Sequence, residues 1–167
     1  MGENKEETLN QILLLEEEKL KIKNAIKSSG DILIFIGFLT LVNVPALAYF
    51  EIIFPIGLFS PFLFIQKIAP FFTDNYYYWL TFIVLNLFIW VFFTFLSNNA
   101  NKNSKIAFYI AFIIYSLDTI LSATYQEWFI TFFHLIFLYQ IFSGYSKIDN
   151  LLKLEKDISK IRNITTE

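Results

Sequence analysis

The chain has 167 residues, of which 56% are hydrophobic and 20% aromatic, and it carries a net charge of −2 and no cysteine. This apolar fraction exceeds the roughly 45–50% of a typical soluble domain, and it is concentrated in long runs, which indicates a membrane protein. The near-neutral charge gives no case for nucleic-acid binding, and the lack of cysteine excludes disulfides, thiolate metal sites and a cysteine nucleophile. The pattern predicts an all-α, polytopic membrane protein with four transmembrane helices and amphipathic cytoplasmic helices at both termini.

The first predicted element, residues 1–30, is an amphipathic cytoplasmic helix. Its polar composition, without a short apolar segment before a small-residue cleavage site, predicts that there is no secretory signal peptide. Apolar residues recur at approximately helical intervals among many Glu and Lys residues: Leu9, Ile12, Leu15, Ile22 and Ile26. The sequence of Ser28, Ser29 and Gly30 predicts that this helix ends here, with Ser29 or Asp31 as the N-cap of the first span.

Residues 31–144 are predicted to form a bundle of four transmembrane helices. The spans are residues 31–54, 77–97, 105–124 and 128–144. Each has roughly 17–24 residues, and a rise of about 1.5 Å per residue matches a hydrocarbon layer of about 30 Å. A chain of this length is too short to surround four apolar helices with polar layers, which disfavours a soluble core.

The apolar segment 55–72, between the first two spans, is broken by three prolines and a glycine: Pro55, Gly57, Pro61 and Pro70. It is too short and too interrupted to cross the membrane and return as regular helix. Non-helical backbone at membrane depth is tolerated only where protein or a water-filled cavity covers it. Two interpretations stay open, an apolar loop on the outer helix ends and a half-inserted, re-entrant segment above a cavity, with a short helix over 61–68 in either case.

The last element, residues 145–167, repeats the amphipathic design after Gly144, which we interpret as a hinge or a helix C-cap. Its apolar residues again recur at helical intervals: Ile148, Leu151, Leu154, Ile158 and Ile161. Such a stripe is buried against the other tail, a second copy, the membrane surface or another protein. Because the tails mix both signs of charge, they favour tail-to-tail or subunit contacts over lipid anchoring. The expected partners are therefore the lipid bilayer and either a homo-oligomer or a partner membrane subunit.

The basic residues predict the orientation. Of the 13 lysines and arginines, all but Lys67 lie in the two tails and in the connection between the second and third spans. By the positive-inside rule this side is cytoplasmic, so both termini are inside. We therefore expect a multi-pass protein of the cell (inner or cytoplasmic) membrane, N-in and C-in.

Asp118 and the single histidine, His134, are the candidate functional pair. Spans three and four form a tight hairpin with Gln126 at its tip, and each of the two residues is eight positions from that tip. They should lie at the same depth, about 12 Å from the tip at 1.5 Å per residue. A buried carboxylate costs about 2.5–3.5 kcal/mol on insertion scales, and pairing with an imidazole lowers that cost. The pair is thus predicted to share one proton.

Three further residues complete the candidate ligand set. Glu51 lies near the outer end of span one, Asn43 lies nearer the bilayer middle, and Tyr115 is on the same face of span three as Asp118. Glu51, Asp118 and His134 would offer N and O ligands to a divalent cation if they converge beneath the broken segment. The alternatives are a structural hydrogen bond between helices, ion or proton binding, and a metal or catalytic site; the sequence does not identify a cofactor.

The run from Ala111 to Tyr145 resembles a pattern in uncharacterised bacterial four-span membrane proteins. In that pattern a Tyr-x-x-Asp segment, a Trp, a Phe-His pair and a terminal Gly recur at similar spacing, here at these positions: Tyr115, Asp118, Trp128, Phe133, His134 and Gly144. Asn43 and the sequence FPIGL, residues 54–58, are similar to the first half of that group. The resemblance implies the four-span architecture and brings no activity with it.

Two classes of function follow. The first is a small membrane protein whose Asp118–His134 site binds or conducts an ion, a proton or a small ligand. The second is a scaffold or an accessory subunit of a homo- or hetero-oligomeric membrane complex, which the amphipathic tails suggest. An intramembrane enzyme is disfavoured, because one histidine without a serine or cysteine partner or a His-x-x-x-His motif limits the catalytic options.

Overall fold

The structure is a computed structural model that describes residues 3–50, 57–61, 63 and 75–166. Four α-helices account for almost all of these residues: α1 (Glu3–Phe50), α2 (Asn75–Ala100), α3 (Lys105–Thr124) and α4 (Trp128–Thr166). Each is long and apolar enough to cross a membrane. The predicted all-helical architecture with four candidate spans is therefore confirmed.

The helices form a closed ring in chain order. α1 packs against α2 and α4, and α3 packs against the same two helices. The turn between α2 and α3 contains Asn103 in the left-handed region (φ 63°), and Ser104 caps α3 by accepting the backbone N–H of Ala107. Gln126 has φ 60° and lies between α3 and α4, so the predicted tip of the hairpin is confirmed.

The interior of the bundle is mainly apolar but holds a set of polar side chains, and the outer surface of the same helices is apolar. Its buried polar side chains include Thr40, Asn43, Asn86, Asp118, Ser122, Thr131 and His134. Large apolar side chains point outwards along the same helices, among them Phe88, Leu117 and Phe129, which are 67%, 62% and 68% exposed. A soluble protein rarely leaves such large contiguous apolar surfaces uncovered. The distribution is that expected for helices surrounded by lipid.

The predicted breaks at Ser28–Gly30 and at Gly144 are wrong, because α1 and α4 run through both positions as continuous helix. The small residues allow close packing there. A Cβ on Gly144 would lie 2.6 Å from both the Phe108 ring and Cβ of Ser29, and one on Gly30 would meet the side chain of Asn101. These glycines therefore mark helix contacts, and each tail continues its span as one helix.

The two tails pack against each other as an antiparallel helix pair. Ile26 of α1 and Ile148 and Leu151 of α4 are buried in one core. Ion pairs flank this core. Oε1 of Glu155 lies 3.6 Å from Nζ of Lys19 and 3.5 Å from Nζ of Lys23. Exposed ion pairs contribute little to stability, so the apolar stripe supplies most of the attraction. The favoured tail-to-tail contact is thus present within one chain.

Candidate functional site

Asp118 and His134 are in direct contact between α3 and α4. The distance from His134 Nε2 to Asp118 Oδ2 is 2.8 Å. His134 is fully buried and Asp118 is 2% exposed. The equal spacing of both residues from Gln126 brings them to the same depth, so the predicted pairing is confirmed.

The polar faces of the two helices meet on both sides of this pair. One turn towards the hairpin tip, the hydroxyl oxygens of Ser122 and Thr131 are 2.9 Å apart. One turn away from the hairpin tip, the Tyr115 ring stacks on the His134 imidazole, with centroids 4.6 Å apart and planes 5° apart. Helical periodicity places these side chains on facing stripes, and the stack fixes the plane of the imidazole.

The Asp118 carboxylate also binds the backbone of the segment between the first two spans. We call the described residues of this segment, 57–61 and 63, the inter-span segment. The N–H of Phe59 donates to Asp118 Oδ2 at 2.8 Å, and the N–H of Ser60 donates to Oδ1 at 2.7 Å. The carboxylate thereby accepts three hydrogen bonds, from two backbone amides and the imidazole.

A third amide of the inter-span segment is bound by α1. The N–H of Leu58 donates to Oγ1 of Thr40 at 2.8 Å, and that hydroxyl donates to the carbonyl of Ile36. Three successive backbone N–H groups are therefore satisfied by side chains of the bundle. This satisfies the requirement that irregular backbone at membrane depth be covered by protein.

The inter-span segment reaches into the bundle. Leu58, Phe59 and Leu63 are buried, and the amides that bind Asp118 lie at the depth of that residue, about 12 Å from the hairpin tip. Gly57 is packed directly on α1, where an added Cβ would lie 2.8 Å from the backbone nitrogen of Thr40. The described residues thus match the half-inserted alternative, and the remainder of 55–72 lies outside the described residues.

The hydrogen bonds of His134 define how many protons the pair holds. Nδ1 lies 2.8 Å from the carbonyl oxygen of Ile130. A carbonyl only accepts, so Nδ1 carries a hydrogen. One further proton must then lie between Nε2 and Asp118 Oδ2, either on the imidazole as imidazolium or on the carboxyl group. The two amide bonds favour the carboxylate, and hence an imidazolium–carboxylate pair with one shared proton.

The other predicted site residues have different positions. Asn43 is buried on α1 with its side-chain nitrogen beside Gly57, so it contacts the inter-span segment. Glu51 lies outside the described residues. Tyr115 joins the site as the stacking partner of His134.

The donor set favours a proton over a metal ion. Both carboxylate oxygens of Asp118 and both nitrogens of His134 already have protein partners. Among the residues that the structure describes, no group of three or more His, Cys, Asp or Glu side chains lies together as a metal-binding set. A cation at this position would have to displace the amides of Phe59 and Ser60.

Sequence reasoning identified the acid and the imidazole and missed the groups that bind the acid. The amides of Phe59 and Ser60, which bind the acid, were not candidates. The hydroxyl of Thr40, which binds the Leu58 amide, was not a candidate either. A signal was present, because a buried carboxylate needs several donors and a proline-broken apolar segment has unpaired N–H groups at the start of a short helix. Combining these two requirements makes the backbone amides of the broken segment candidate donors to Asp118, without identifying which of them bind it.

The chain matches no protein-family model, no curated protein and no solved structure.

Proposed function

We propose that this chain is a multi-pass protein of the cytoplasmic membrane, N-in and C-in, whose Asp118–His134 pair holds the inter-span segment in the bundle while it shares one proton and releases the segment when it binds a second. The observation that supports it is the double role of the Asp118 carboxylate, which accepts both the imidazole and two backbone amides. The protonation state of one group and the position of one segment are thus coupled.

The coupling has a direction. The pair already holds one proton, so a second proton has to go onto the Asp118 carboxyl group. A neutral carboxyl group accepts hydrogen bonds less strongly than a carboxylate does, so the amides of Phe59 and Ser60 lose much of their attraction. Among the described residues, Tyr115 is the titratable side chain in contact with the pair, and its phenol remains neutral at acid pH. Acidification on the outer side therefore releases the inter-span segment.

Thiol labelling tests this proposal, because the chain has no cysteine of its own. In a Ser60→Cys protein in liposomes, we expect slow labelling at neutral pH and labelling at least several-fold faster at acid pH. Replacing Asp118 by Asn in the same protein should give fast labelling at both pH values, because an uncharged amide binds the Phe59 and Ser60 N–H groups weakly. The measured quantity is the labelling rate, corrected for the thiolate fraction with a free thiol.

Thr124→Cys is the matched control for labelling, since Thr124 lies at the outer end of α3 and its exposed hydroxyl bonds only its own helix, at Ile120. Its labelling rate should not respond to Asp118→Asn. Equal rates for Ser60→Cys with and without Asp118→Asn, at every pH, contradict the proposal. The single histidine offers a second measurement, because ¹⁵N-histidine NMR reports the protons on both His134 nitrogens without overlap.

A scaffold or accessory-subunit role is the second candidate function. One stripe of α1, away from the residues that contact α4, carries three exposed leucines. They are Leu9, Leu13 and Leu20, which are 58%, 59% and 58% exposed. This stripe is at the cytoplasmic tail, where lipid does not cover it in the proposed orientation.

If the stripe is a subunit contact, the detergent-solubilised protein should have a mass above that of one chain, measured by light scattering with the detergent subtracted. Changing all three leucines to serine should return it to one chain. The control changes Leu117, Ile120 and Phe129 on the lipid-facing surface to alanine and should leave the mass unchanged. A single-chain mass for the unaltered protein contradicts the homo-oligomeric form of this role.

A further inference from the structure

A polar groove lies between α1 and α4 at the opposite end of the bundle from the inter-span segment. We call it the inner groove and define it by its polar lining, Ser28, Ser29, Gln140, Ser143 and Lys147. Its volume is about 250 Å³. The groove belongs to neither the Asp118–His134 site nor the leucine stripe.

The groove lies at the level where the spans leave the membrane. Gly30 and Asp31 follow Ser29 directly, and the Asp31 carboxylate accepts a 2.9 Å hydrogen bond from Asn101 in the turn between α2 and α3. Beyond this turn the helices carry the paired charges of the tails, and before it they are apolar. In the proposed orientation the inner groove therefore faces the headgroups of the cytoplasmic leaflet.

The polar side chains of the groove lack protein partners. In the described part of the chain, none of the five makes a hydrogen bond or an ion pair. Several other hydroxyls of the bundle bond the carbonyl four residues earlier, as Thr40, Thr94 and Thr119 do, whereas the buried Ser97 hydroxyl has no partner among the described residues. Three serines, an amide and a lysine thus converge on one groove with their hydrogen-bonding capacity unused. Ser28 is exposed, but Ser29 is buried and Gln140, Ser143 and Lys147 are half-buried. Buried and half-buried polar groups normally have partners, which indicates an occupant.

The charge and the hydrogen-bond donors of the lining indicate the chemical class of the occupant. Within the described ranges Lys147 forms no ion pair, whereas Lys105, at the start of α3, is paired with Asp149. A lysine ammonium, hydroxyls and a carboxamide are donors that suit an anion with several acceptor oxygens. Ile32 and Tyr139 line the same groove, and Phe35 and Ile136 leave partly exposed apolar surface on the membrane side, where acyl chains can lie.

We infer that the inner groove binds a phosphate group, carried by the headgroup of a membrane phospholipid, with Lys147 as its ion-pair partner and Ser28 and Ser143 as hydrogen-bond donors. The lipid would hold α1 to α4 at the level where the two tails leave the membrane.

Native mass spectrometry of the full-length protein in detergent tests this inference with three probes: phosphatidylglycerol, a diacylglycerol with the same chains, and inorganic phosphate. We expect phosphatidylglycerol to bind and the Lys147→Ala protein to bind it about tenfold more weakly, the loss of one charge-assisted contact. Lys153→Ala is the matched control. Lys153 is exposed and lies less than two turns further along α4, and its substitution removes the same charge. It should bind as the unaltered protein does.

Equal affinity of the Lys147→Ala and Lys153→Ala proteins overturns the inference, as does binding of the diacylglycerol as tight as that of phosphatidylglycerol. Binding of inorganic phosphate that depends on Lys147 and matches that of the lipid keeps the phosphate site and overturns its assignment to a lipid. Lys153 is exposed and Lys147 is half-buried at the groove, so neither substitution opens the core. The variants should therefore keep the helical content and elution volume of the unaltered protein, which circular dichroism and gel filtration check.

Discussion

Replacing His134 by phenylalanine is expected to lower the free energy of unfolding by about 3 kcal/mol. A phenyl ring fills the space of the imidazole and keeps the stack on Tyr115, but it removes the Nε2 partner of Asp118. The carboxylate is then buried without its counter-charge, and breaking a buried pair by removing one member costs about 3–5 kcal/mol. The amides of Phe59 and Ser60 still bind the carboxylate, so the expected loss lies at the lower end of that range. Unfolding in mixed micelles of rising denaturing-detergent fraction measures the difference.

His134→Gln is the matched control for this loss. The glutamine amide nitrogen lies about where Nε2 does and still donates to the carboxylate but carries no charge, so the expected loss is smaller than that of the phenylalanine protein by about 1 kcal/mol, the value of one hydrogen bond. If both proteins lose the same free energy, the imidazole serves only to fill space, and the assignment of a shared proton to the pair fails. This comparison separates the hydrogen bond that His134 donates to Asp118 from the volume of its side chain.

Much of the architecture was predictable because its causes are local. The run of apolar residues defines each span, and the predicted bounds of the third span, 105–124, match α3. Gln126 was predictable as the hairpin tip because the polar break between two spans is only a few residues long. Depth along two antiparallel helices then follows from counting, which is why the contact of Asp118 with His134 followed from their positions alone.

The remainder depended on contacts between distant parts of the chain. Gly144 has the same local signature whether it ends a helix or admits a neighbouring one, and only the position of Phe108 decides for the second. The amides of Phe59 and Ser60 have no side-chain signature at all, since any residue except proline supplies a backbone N–H. Predicting them requires the path of the inter-span segment, and that path is fixed by Thr40 and Asp118 from two different helices.

Gly57 provides a test of that path away from the charged pair. An alanine Cβ at this position would lie 2.8 Å from the backbone nitrogen of Thr40 and 2.9 Å from its Cα. These are atoms of a packed helix and cannot rotate away, so the inter-span segment has to shift. The shift lengthens the bond from the Leu58 N–H to Thr40 and those from the next two amides to Asp118. Overpacking together with weakened buried hydrogen bonds predicts a loss of about 2–3 kcal/mol.

The Gly57→Ala protein should also show changed ¹⁵N resonances for His134, although no side chain of the pair is altered, because the imidazole shares Asp118 Oδ2 with the Phe59 amide. Gly30→Ala is the control. Its Cβ meets the Asn101 side chain and weakens the hydrogen bond of that side chain to Asp31, at the end of the bundle away from the pair, so stability should fall somewhat but the histidine spectrum should not change. A destabilised Gly57→Ala protein with an unchanged histidine spectrum would mean that the position of the inter-span segment and the protonation of the pair are independent, and the proposed coupling between them would be wrong.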